Sequence, residues 1–319
     1  MLSTLLREHT EATTDQREPL LDLLRFLDDE SYDFVTATPN THARVVARPE
    51  RQTGRTLRDL LGWSLPVASD ALPGRVVAAL EEAGRLTRRP DGLVQATVRV
   101  SRVYGALFLH SAYPTTDQDS VFLGPDSYRF ADLIMRRHSR AAGLRILDYG
   151  AGAGVGGITA ARQGATPHLT LADINPKALF LASINAEHAG IDHRAVEATS
   201  PSGVEGPFDL IVTHPPFMMD EGQRAYRDGG DLYGGQLSLD WTLAALELLA
   251  RGGRLVLHTG VSIVDGRDVL HDAFGQHMPP GYDWDYHLLD PDIFGDELDQ
   301  PPYREVERIA AIGLTVTRN

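Results

Sequence analysis

Short apolar runs alternate with segments of helical periodicity through the second half of the chain. Runs of this length are typical of strands buried on both faces of a sheet. Strands are predicted at Arg145–Tyr149, His168–Asp173, His193–Glu197, Phe208–Thr213 and Arg254–Thr259. Helices are predicted at Gly156–Gln163, Pro176–Ala189, Leu237–Leu249 and Gly266–Phe274. The alternation predicts an α/β fold with a parallel, doubly wound sheet.

The end of the chain departs from this alternation. Trp284–Leu289 and Ile309–Thr317 both have the pattern of strands, and the residues between them do not have the pattern of a helix. Two successive strands without a crossover helix favour antiparallel pairing. We therefore expect the sheet to finish in an antiparallel hairpin.

The first third of the chain has a different pattern. Helices are predicted over Met1–Asp29, Thr56–Trp63 and Leu72–Ala83. Arg85–Arg89 and Leu93–Val100 flank an Arg-Pro-Asp-Gly turn and predict a hairpin. The order helix, helix, hairpin is typical of a winged helix. Such a domain could bind DNA, present a substrate or only pack against the remaining chain. The acidic composition disfavours DNA binding.

Two further segments carry turn or capping signals. Ser31–Arg51 is expected to be part loop and part strand, with Pro39 and Pro49 as breakers. Asp126 is expected to be the N-cap of a helix that follows Phe122. A loop over Ser111–Ser120 is expected to separate an N-terminal domain, residues 1–115, from a second domain, residues 116–319.

Composition limits the possible functions. The 319 residues carry a net charge of −14 and contain no cysteine, so disulfide and thiolate chemistry are excluded. Nucleic-acid binding usually relies on a basic surface, so this charge favours a cationic or neutral small molecule, peptide or protein as partner. With no apolar segment of membrane-spanning length and no leader pattern, we expect a cytoplasmic enzyme.

Three motifs follow the predicted strands. Gly150, Gly152 and Gly154 come directly after the first strand, where glycine lets the backbone turn sharply and approach a ligand. Asp173 ends the second strand, where a carboxylate can accept hydrogen bonds from ribose hydroxyls. The fourth strand runs into a rigid proline pair, His214-Pro-Pro-Phe217.

Together, Asp148-Tyr-Gly-Ala-Gly-Ala-Gly154, Asp173-Ile-Asn175 and His214-Pro-Pro-Phe217 resemble the class I S-adenosylmethionine-dependent methyltransferases. The last motif is similar to the branch with Asn/Asp/Ser-Pro-Pro-Phe/Tyr, which includes protein-glutamine and rRNA guanine amino-methyltransferases. This resemblance implies a Rossmann-like, seven-stranded methyltransferase sheet with a C-terminal antiparallel hairpin. It also implies S-adenosylmethionine as the cofactor, with S-adenosylhomocysteine as product.

The resemblance implies a set of cofactor-binding residues in the glycine turn, after the second and third strands, and in the preceding helix. They are Asp148, Tyr149, Gly150, Ala151, Gly152, Gly154, Asp173, Ile174, Asn175, Thr199 and Tyr128. Glu197 is an alternative to Thr199. Asp126, Ser127 and Arg129 are candidates together with Tyr128; the alternative is a helix start with Tyr128 in the core.

The implied catalytic residues are His214, Pro215 and Phe217. In the family, Asn accepts hydrogen bonds from the target amino group, so His214 is a departure. A neutral imidazole could still position an amine, or it could act as a general base; the alternative is a histidine that faces water.

Further residues are expected to bind the methyl acceptor. They are Arg227, Asp228 and Asp231, in a glycine-rich segment, and Asp292, in an acidic loop between the last two strands, together with Asp290, Asp296 and Glu297. The glycine-rich segment could equally be only a mobile loop, and charged runs are usually solvated. No motif predicts a metal site.

The favoured function is N-methylation of a protein, peptide or small molecule. An rRNA or DNA amino-methyltransferase is the main enzymatic alternative, and a non-catalytic winged-helix regulator that senses S-adenosylmethionine is another. The frame Gly152-Ala-Gly-Val-Gly-Gly157 also fits an NAD-binding fingerprint. It starts three residues past the strand end and gives the proline pair no role, so NAD is disfavoured.

Overall fold

The computed structural model describes residues 2–137, 142–220, 222–224 and 226–319, with side chains described from residue 16 onward. The chain divides into two compact units. The N-terminal unit comprises Met1–Thr116, Phe122–Pro125 and Ile184–Gly190, and the sheet unit comprises Asp117–Val121, Asp126–Ser183 and Ile191–Asn319.

The first third of the chain contains four α-helices and five short strands in its described part. They are α1 (Leu2–Asp29), α2 (Pro39–Val46), α3 (Leu57–Leu61), β1 (Val67–Ala68), α4 (Gly74–Glu82), β2 (Leu86–Arg88), β3 (Leu93–Ala96), β4 (Val98–Val103) and β5 (Ala106–Ser111). One sheet has the order β1-β3-β2, and β4 and β5 form a separate antiparallel pair. The predicted hairpin is therefore present as β2 and β3, while the winged-helix assignment stays a prediction.

Helix α2 was not predicted, and treating Pro39 only as a breaker was wrong. Pro39 occupies the first turn of α2, where the missing N–H of proline has no partner to lose. The hydroxyl of Thr38 caps the helix by accepting a hydrogen bond from the Thr41 N–H at 3.1 Å.

The remaining chain contains five helices and eight strands in its described part. They are α5 (Pro125–Arg137), β6 (Arg145–Tyr149), α6 (Val155–Ala161), β7 (His168–Asp173), α7 (Pro176–His188), β8 (His193–Glu197), β9 (Phe208–Thr213), α8 (Gln236–Leu246), β10 (Leu249–Val264), β11 (Arg267–Asp268), α9 (Val269–His277), β12 (Tyr282–Ile293) and β13 (Arg308–Arg318). Among these helices and those of the first third, as far as they are described, none is long and apolar enough to cross a membrane.

Seven strands form the main path of the sheet, in the order β12-β13-β10-β9-β6-β7-β8, and β11 pairs only with β10. Strands β6 to β10 are parallel to one another, whereas β13 runs antiparallel to both β10 and β12. The predicted parallel sheet with an antiparallel end is confirmed. Its strands are buried under α8 and α9, with Leu147, Ile211, Leu257 and Phe274 in one apolar cluster.

Two local predictions were wrong. Asp126 lies inside the first turn of α5 and binds Arg129 in an ion pair at 3.0 Å, so it is not the N-cap. Asp290 and Asp292 lie in the irregular last part of β12, where the register shifts, and not in the connecting loop. Ladder hydrogen bonds with β13 extend this strand beyond its apolar run.

Candidate functional site

The chain turns sharply after β6 through three glycines in the left-handed region. Gly150, Gly152 and Gly154 have φ of +70°, +54° and +81°. A Cβ on Gly150 would lie 2.6 Å from the Trp241 ring, whereas a Cβ on Gly152 would meet no described atom within 4 Å. The turn is therefore packed on one side, and at Gly152 it leaves open space that a side chain would fill.

Asp148 supports this turn from inside the protein. Its side chain belongs to a residue only 1% exposed, and Oδ2 accepts a hydrogen bond from the Gly157 N–H at 2.7 Å. Burial raises the pKa of Asp148 to about 8. Its neighbour Tyr149 is also buried and packs edge-on against Trp241, with ring centroids 4.6 Å apart. Asp148 and Tyr149 therefore support the glycine turn from the protein interior.

Asp173 joins the end of β7 to the glycine turn. One carboxylate oxygen accepts a hydrogen bond from the Gly152 N–H at 2.9 Å, and the other accepts one from the Asn175 N–H at 2.9 Å. The side chain is only half-buried, and burial raises the pKa of Asp173. A carboxylate has about four lone-pair sites, so it can accept further hydrogen bonds here. The structure thus brings Asp173 and Gly152 together.

The other predicted cofactor residues differ in their surroundings. Ile174 is 51% exposed, and Thr199 is exposed just after β8. The Asn175 side chain is used locally, since it accepts from the Lys177 N–H at 3.0 Å and donates to the Asp119 carbonyl at 2.8 Å. Tyr128 is half-buried on α5, and the Ala151 N–H donates to the Ala172 carbonyl at 3.0 Å.

His214 follows β9 and packs within a cluster of rings. The parallel register pairs Thr213 with Leu257, so the next residues, His214 and His258, lie side by side. Their Nδ1 atoms are 3.2 Å apart and their ring centroids 4.6 Å apart, with planes inclined by 27°. The rings of Phe130 and Phe217 also contact His214, at centroid distances of 5.5 and 5.8 Å. His214 is therefore half-buried within a cluster of rings.

Burial also sets the protonation of His214, because it lowers the pKa of the imidazole to about 4. The ring is neutral near pH 7. A neutral imidazole has one N–H and one lone pair, and one of its nitrogens already faces His258.

The proline pair leads into a tightly packed turn. Phe217 is only 9% exposed, and a Cβ on Gly260 of β10 would lie 2.3 Å from its ring. A Cβ on Gly234 would lie 2.4 Å from the Phe217 carbonyl oxygen. The ring therefore packs against the sheet, with Phe294 at 5.8 Å.

The segment after this turn is held by a charge network. Asp220 pairs with Arg224 and with Arg227, and Arg227 also pairs with Glu297 from the loop after β12. Hydrogen bonds from Arg224 lower the pKa of Asp220 to about 2. Arg227, predicted to bind the acceptor, is therefore engaged by two carboxylates in the structure.

The other predicted acceptor-binding residues differ in their surroundings. Asp228 accepts from the Gly230 N–H at 3.3 Å and is half-buried. Asp231 precedes the short helix Leu232–Gly234 and, like Asp292 on β12, is exposed. Within the described residues, no group of three or more His, Asp or Glu side chains is placed to hold a metal ion.

Sequence reasoning missed His258, Phe130 and Asp220. His258 lies in the middle of an apolar strand, where a histidine is ordinarily a core residue. The only signal for it is the register, because parallel pairing of β9 with β10 places residue 258 next to residue 214. Phe130 and Asp220 carry no motif, and only the folded chain shows their contacts.

Residues 129–280 match the family model described as Methyltransferase small domain. This segment contains the glycine turn, Asp173 and His214.

Two curated relatives match parts of the chain. The release factor glutamine methyltransferase of Deinococcus radiodurans is 33% identical over 106 residues, which are 33% of this chain and 37% of that protein. The ribosomal RNA small subunit methyltransferase C of Actinobacillus pleuropneumoniae is 34% identical over 148 residues, which are 46% of this chain and 42% of that protein. The chain thus matches less than half the length of either relative.

Solved structures of methyltransferases are also similar. The ribosomal protein L11 methylase of Lactobacillus delbrueckii is 20% identical, with a TM-score of 0.43, and the match covers 62% of this chain and 81% of that chain. A 16S rRNA methyltransferase of T. thermophilus, in complex with AdoMet and guanosine, is 16% identical, with a TM-score of 0.44 and coverage of 80% and 64%.

Proposed function

We propose that this chain transfers a methyl group from S-adenosylmethionine to a nitrogen of a protein, peptide or small molecule, because residues 129–280 match the family model described as Methyltransferase small domain. The observation that carries the proposal is the hydrogen bond between the Gly152 N–H and the Asp173 carboxylate. There, a half-buried carboxylate stands beside a left-handed glycine whose missing side chain leaves open space. If NAD were the ligand instead, the proline pair would have no role in the site.

Asp173, Ile174 and the glycine turn fit an adenosine-containing cofactor. The carboxylate of Asp173 can accept hydrogen bonds from two ribose hydroxyls, and such charge-assisted bonds are strong. The exposed side chain of Ile174 offers an apolar contact for the adenine ring. Gly150, Gly152 and Gly154 let the backbone approach the amino-acid end of the cofactor. Asp148 contributes indirectly, by fixing the first turn of α6.

When bound, S-adenosylmethionine supplies an electrophilic methyl group on a sulfonium. The protein then has to hold the acceptor nitrogen in line with that methyl, which is mainly a matter of positioning. His214 and the rigid Pro215 directly follow β9, the strand next to β6, and in this proposal they hold the acceptor. Phe217 is buried, and its role is to fix this turn rather than to stack on the acceptor.

The choice of acceptor follows from charge. A net charge of −14 disfavours a large nucleic-acid footprint and favours a neutral or cationic acceptor. Asp231 and Asp292 are exposed on the sheet unit and could attract such an acceptor. We propose that the N-terminal unit helps to select it, and that a winged-helix-like arrangement of α4, β2 and β3 does so without binding DNA.

The test is methyl transfer from radiolabelled S-adenosylmethionine to a panel of basic peptides, amines, bacterial protein extract and ribosomal RNA. Transfer to a peptide, protein or amine supports the proposal. Transfer to RNA alone would favour the rRNA alternative, in which case binding should be strong and salt-sensitive. Binding of S-adenosylhomocysteine without transfer to any of them would favour the ligand-sensing alternative.

The matched variants are His214→Ala and His271→Ala. His214→Ala should lower kcat by about 10²-fold, because it removes one positioned hydrogen-bonding group. It should leave S-adenosylhomocysteine affinity within about twofold, because His214 lies beside the acceptor rather than at the ribose. His271, on α9, has its ring contacts with Trp284 and Tyr286 of β12; its replacement should change neither quantity.

A further inference from the structure

His258 lies in the interior of the sheet unit, and only one of its two ring nitrogens has a hydrogen-bond partner among the described residues. The residue is 0% exposed on β10, and its Nδ1 faces Nδ1 of His214 at 3.2 Å. Its other ring nitrogen, Nε2, is buried and has no hydrogen-bond partner among the described residues. Buried polar atoms without partners are uncommon, so this nitrogen calls for an explanation.

Only one of the two facing Nδ1 atoms can carry a proton. Burial lowers the pKa of His214, and burial, His214 and Arg129 together hold the pKa of His258 well below its usual range. Both rings are therefore neutral, and each carries a single N–H. Two bare Nδ1 lone pairs would repel each other, and two N–H groups would clash. One Nδ1 must donate and the other must accept.

The buried Nε2 of His258 decides which ring donates. If His214 donated, His258 would carry its proton on Nε2 and bury an N–H without a partner. If His258 donates, only a lone pair is left unpaired at Nε2. Orphaned buried N–H groups are rarer in proteins than under-used acceptors. The favoured arrangement has His258 donating from Nδ1 and His214 accepting at Nδ1.

We propose that His258 is a positioning residue that fixes the ring and the tautomer of His214, so that His214 presents an Nε2–H donor to the methyl acceptor. This inference rests on the proposed function of His214. It differs from the expectation that His214 acts as a general base, because Nε2 already carries the proton. The group that meets His214 must then be a hydrogen-bond acceptor, such as a carbonyl oxygen or a ring nitrogen next to the reacting atom.

The test is two-bond ¹H–¹⁵N NMR of the full chain labelled at histidine, since the nitrogen shifts distinguish the two neutral tautomers. Variants His214→Asn and His258→Asn assign the two sets of signals. In the native protein we expect His258 protonated at Nδ1 and His214 at Nε2. The opposite tautomers, or charged rings at pH 7, would overturn the inference.

Two variants separate positioning from packing. His258→Asn places an amide N–H near the position of Nδ1 and should keep His214 protonated at Nε2, with kcat within about threefold of native. His258→Leu fills the space without a donor, so the His214 tautomer should become mixed and kcat should fall about tenfold or more. Equal tautomers and equal kcat in both variants would contradict the inference.

Titration with S-adenosylhomocysteine is run on the same samples. Unchanged affinity in both variants shows that they are folded at the cofactor site. Absence of binding in the native protein would overturn the proposed function, while the tautomers, which are measured without cofactor or acceptor, would still decide the role of His258.

Discussion

The carboxylate of Asp173 accepts a hydrogen bond from the Gly152 N–H at 2.9 Å. This bond joins the ends of two adjacent parallel strands, β6 and β7, at the carboxyl edge of the sheet, where ligands bind in folds of this kind. One side chain therefore shapes the glycine turn and, with its remaining lone pairs, faces the space beside it. Substitutions at either residue should therefore weaken S-adenosylhomocysteine binding more than they weaken the fold.

Gly152→Ala should weaken S-adenosylhomocysteine binding more than it weakens the fold. The residue has φ of +54°, so alanine adds strain of about 1–2 kcal/mol. The new methyl group meets no described atom, so it enters the open space proposed for the cofactor. We expect affinity to fall at least about tenfold, measured by titration calorimetry.

Gly252→Ala is the matched control. Gly252 has φ of +72°, and a Cβ there also meets no described atom within 4 Å. The stability loss in urea should therefore resemble that of Gly152→Ala, while the affinity stays native. Similar affinities in the two variants would mean that Gly152 does not line the cofactor site.

Asp148→Asn should flatten the dependence of stability on pH. Burial raises the pKa of Asp148 from 3.8 to about 8 in the folded chain, so the folded state binds the proton more tightly than the unfolded state does. Its contribution is fully present below about pH 4 and is lost as pH rises toward 8. Asparagine keeps an acceptor for the Gly157 N–H and cannot ionise.

The measurement is the free energy of unfolding in urea at several values between about pH 5 and 8. Relative to the native chain, Asp148→Asn should gain at least about 1 kcal/mol across this range. Parallel curves for the two proteins would show that Asp148 ionises normally despite its burial.

His214 should remain uncharged through the range in which histidines ordinarily titrate. Burial lowers its pKa from 6.5 to about 4, so its contribution to stability is present above pH 6.5 and is lost as pH falls toward 4. The Cε1–H proton shift of His214 should stay constant from about pH 8 down to about pH 5.5. A midpoint above pH 6 for His214 would contradict this expectation.

The sequence predicted much of the sheet because its pattern there depends on burial alone. Strands β6, β7, β8 and β9 begin and end at the predicted residues. For β6, β7 and β9 the reason is that each is a short, mostly apolar run with buried residues on both faces. Strands β10 and β12 extend beyond their predicted ends, because antiparallel pairing with β13 continues to Ile263 in β10 and to Ile293 in β12. Side-chain hydrophobicity does not report these backbone hydrogen bonds.

The candidate site was predictable only where a local motif marks it. The glycine turn and Asp173 were found because left-handed backbone and a strand-end carboxylate leave a sequence signature. The His214–His258 contact joins residues 44 positions apart in the chain. It depends on the register between β9 and β10, which neither strand's own sequence specifies.

The most direct test of the central claim is titration calorimetry with S-adenosylhomocysteine on the native chain, Asp173→Asn and Asp192→Asn. Asp192 is exposed in the turn before β8 and serves as the control. We predict micromolar-range affinity for the native chain and for Asp192→Asn, and a loss of about tenfold or more for Asp173→Asn, which keeps the side-chain shape but loses the charge. Equal affinity in all three, or no binding by the native chain, would contradict the assignment of Asp173 and the glycine turn as the cofactor site.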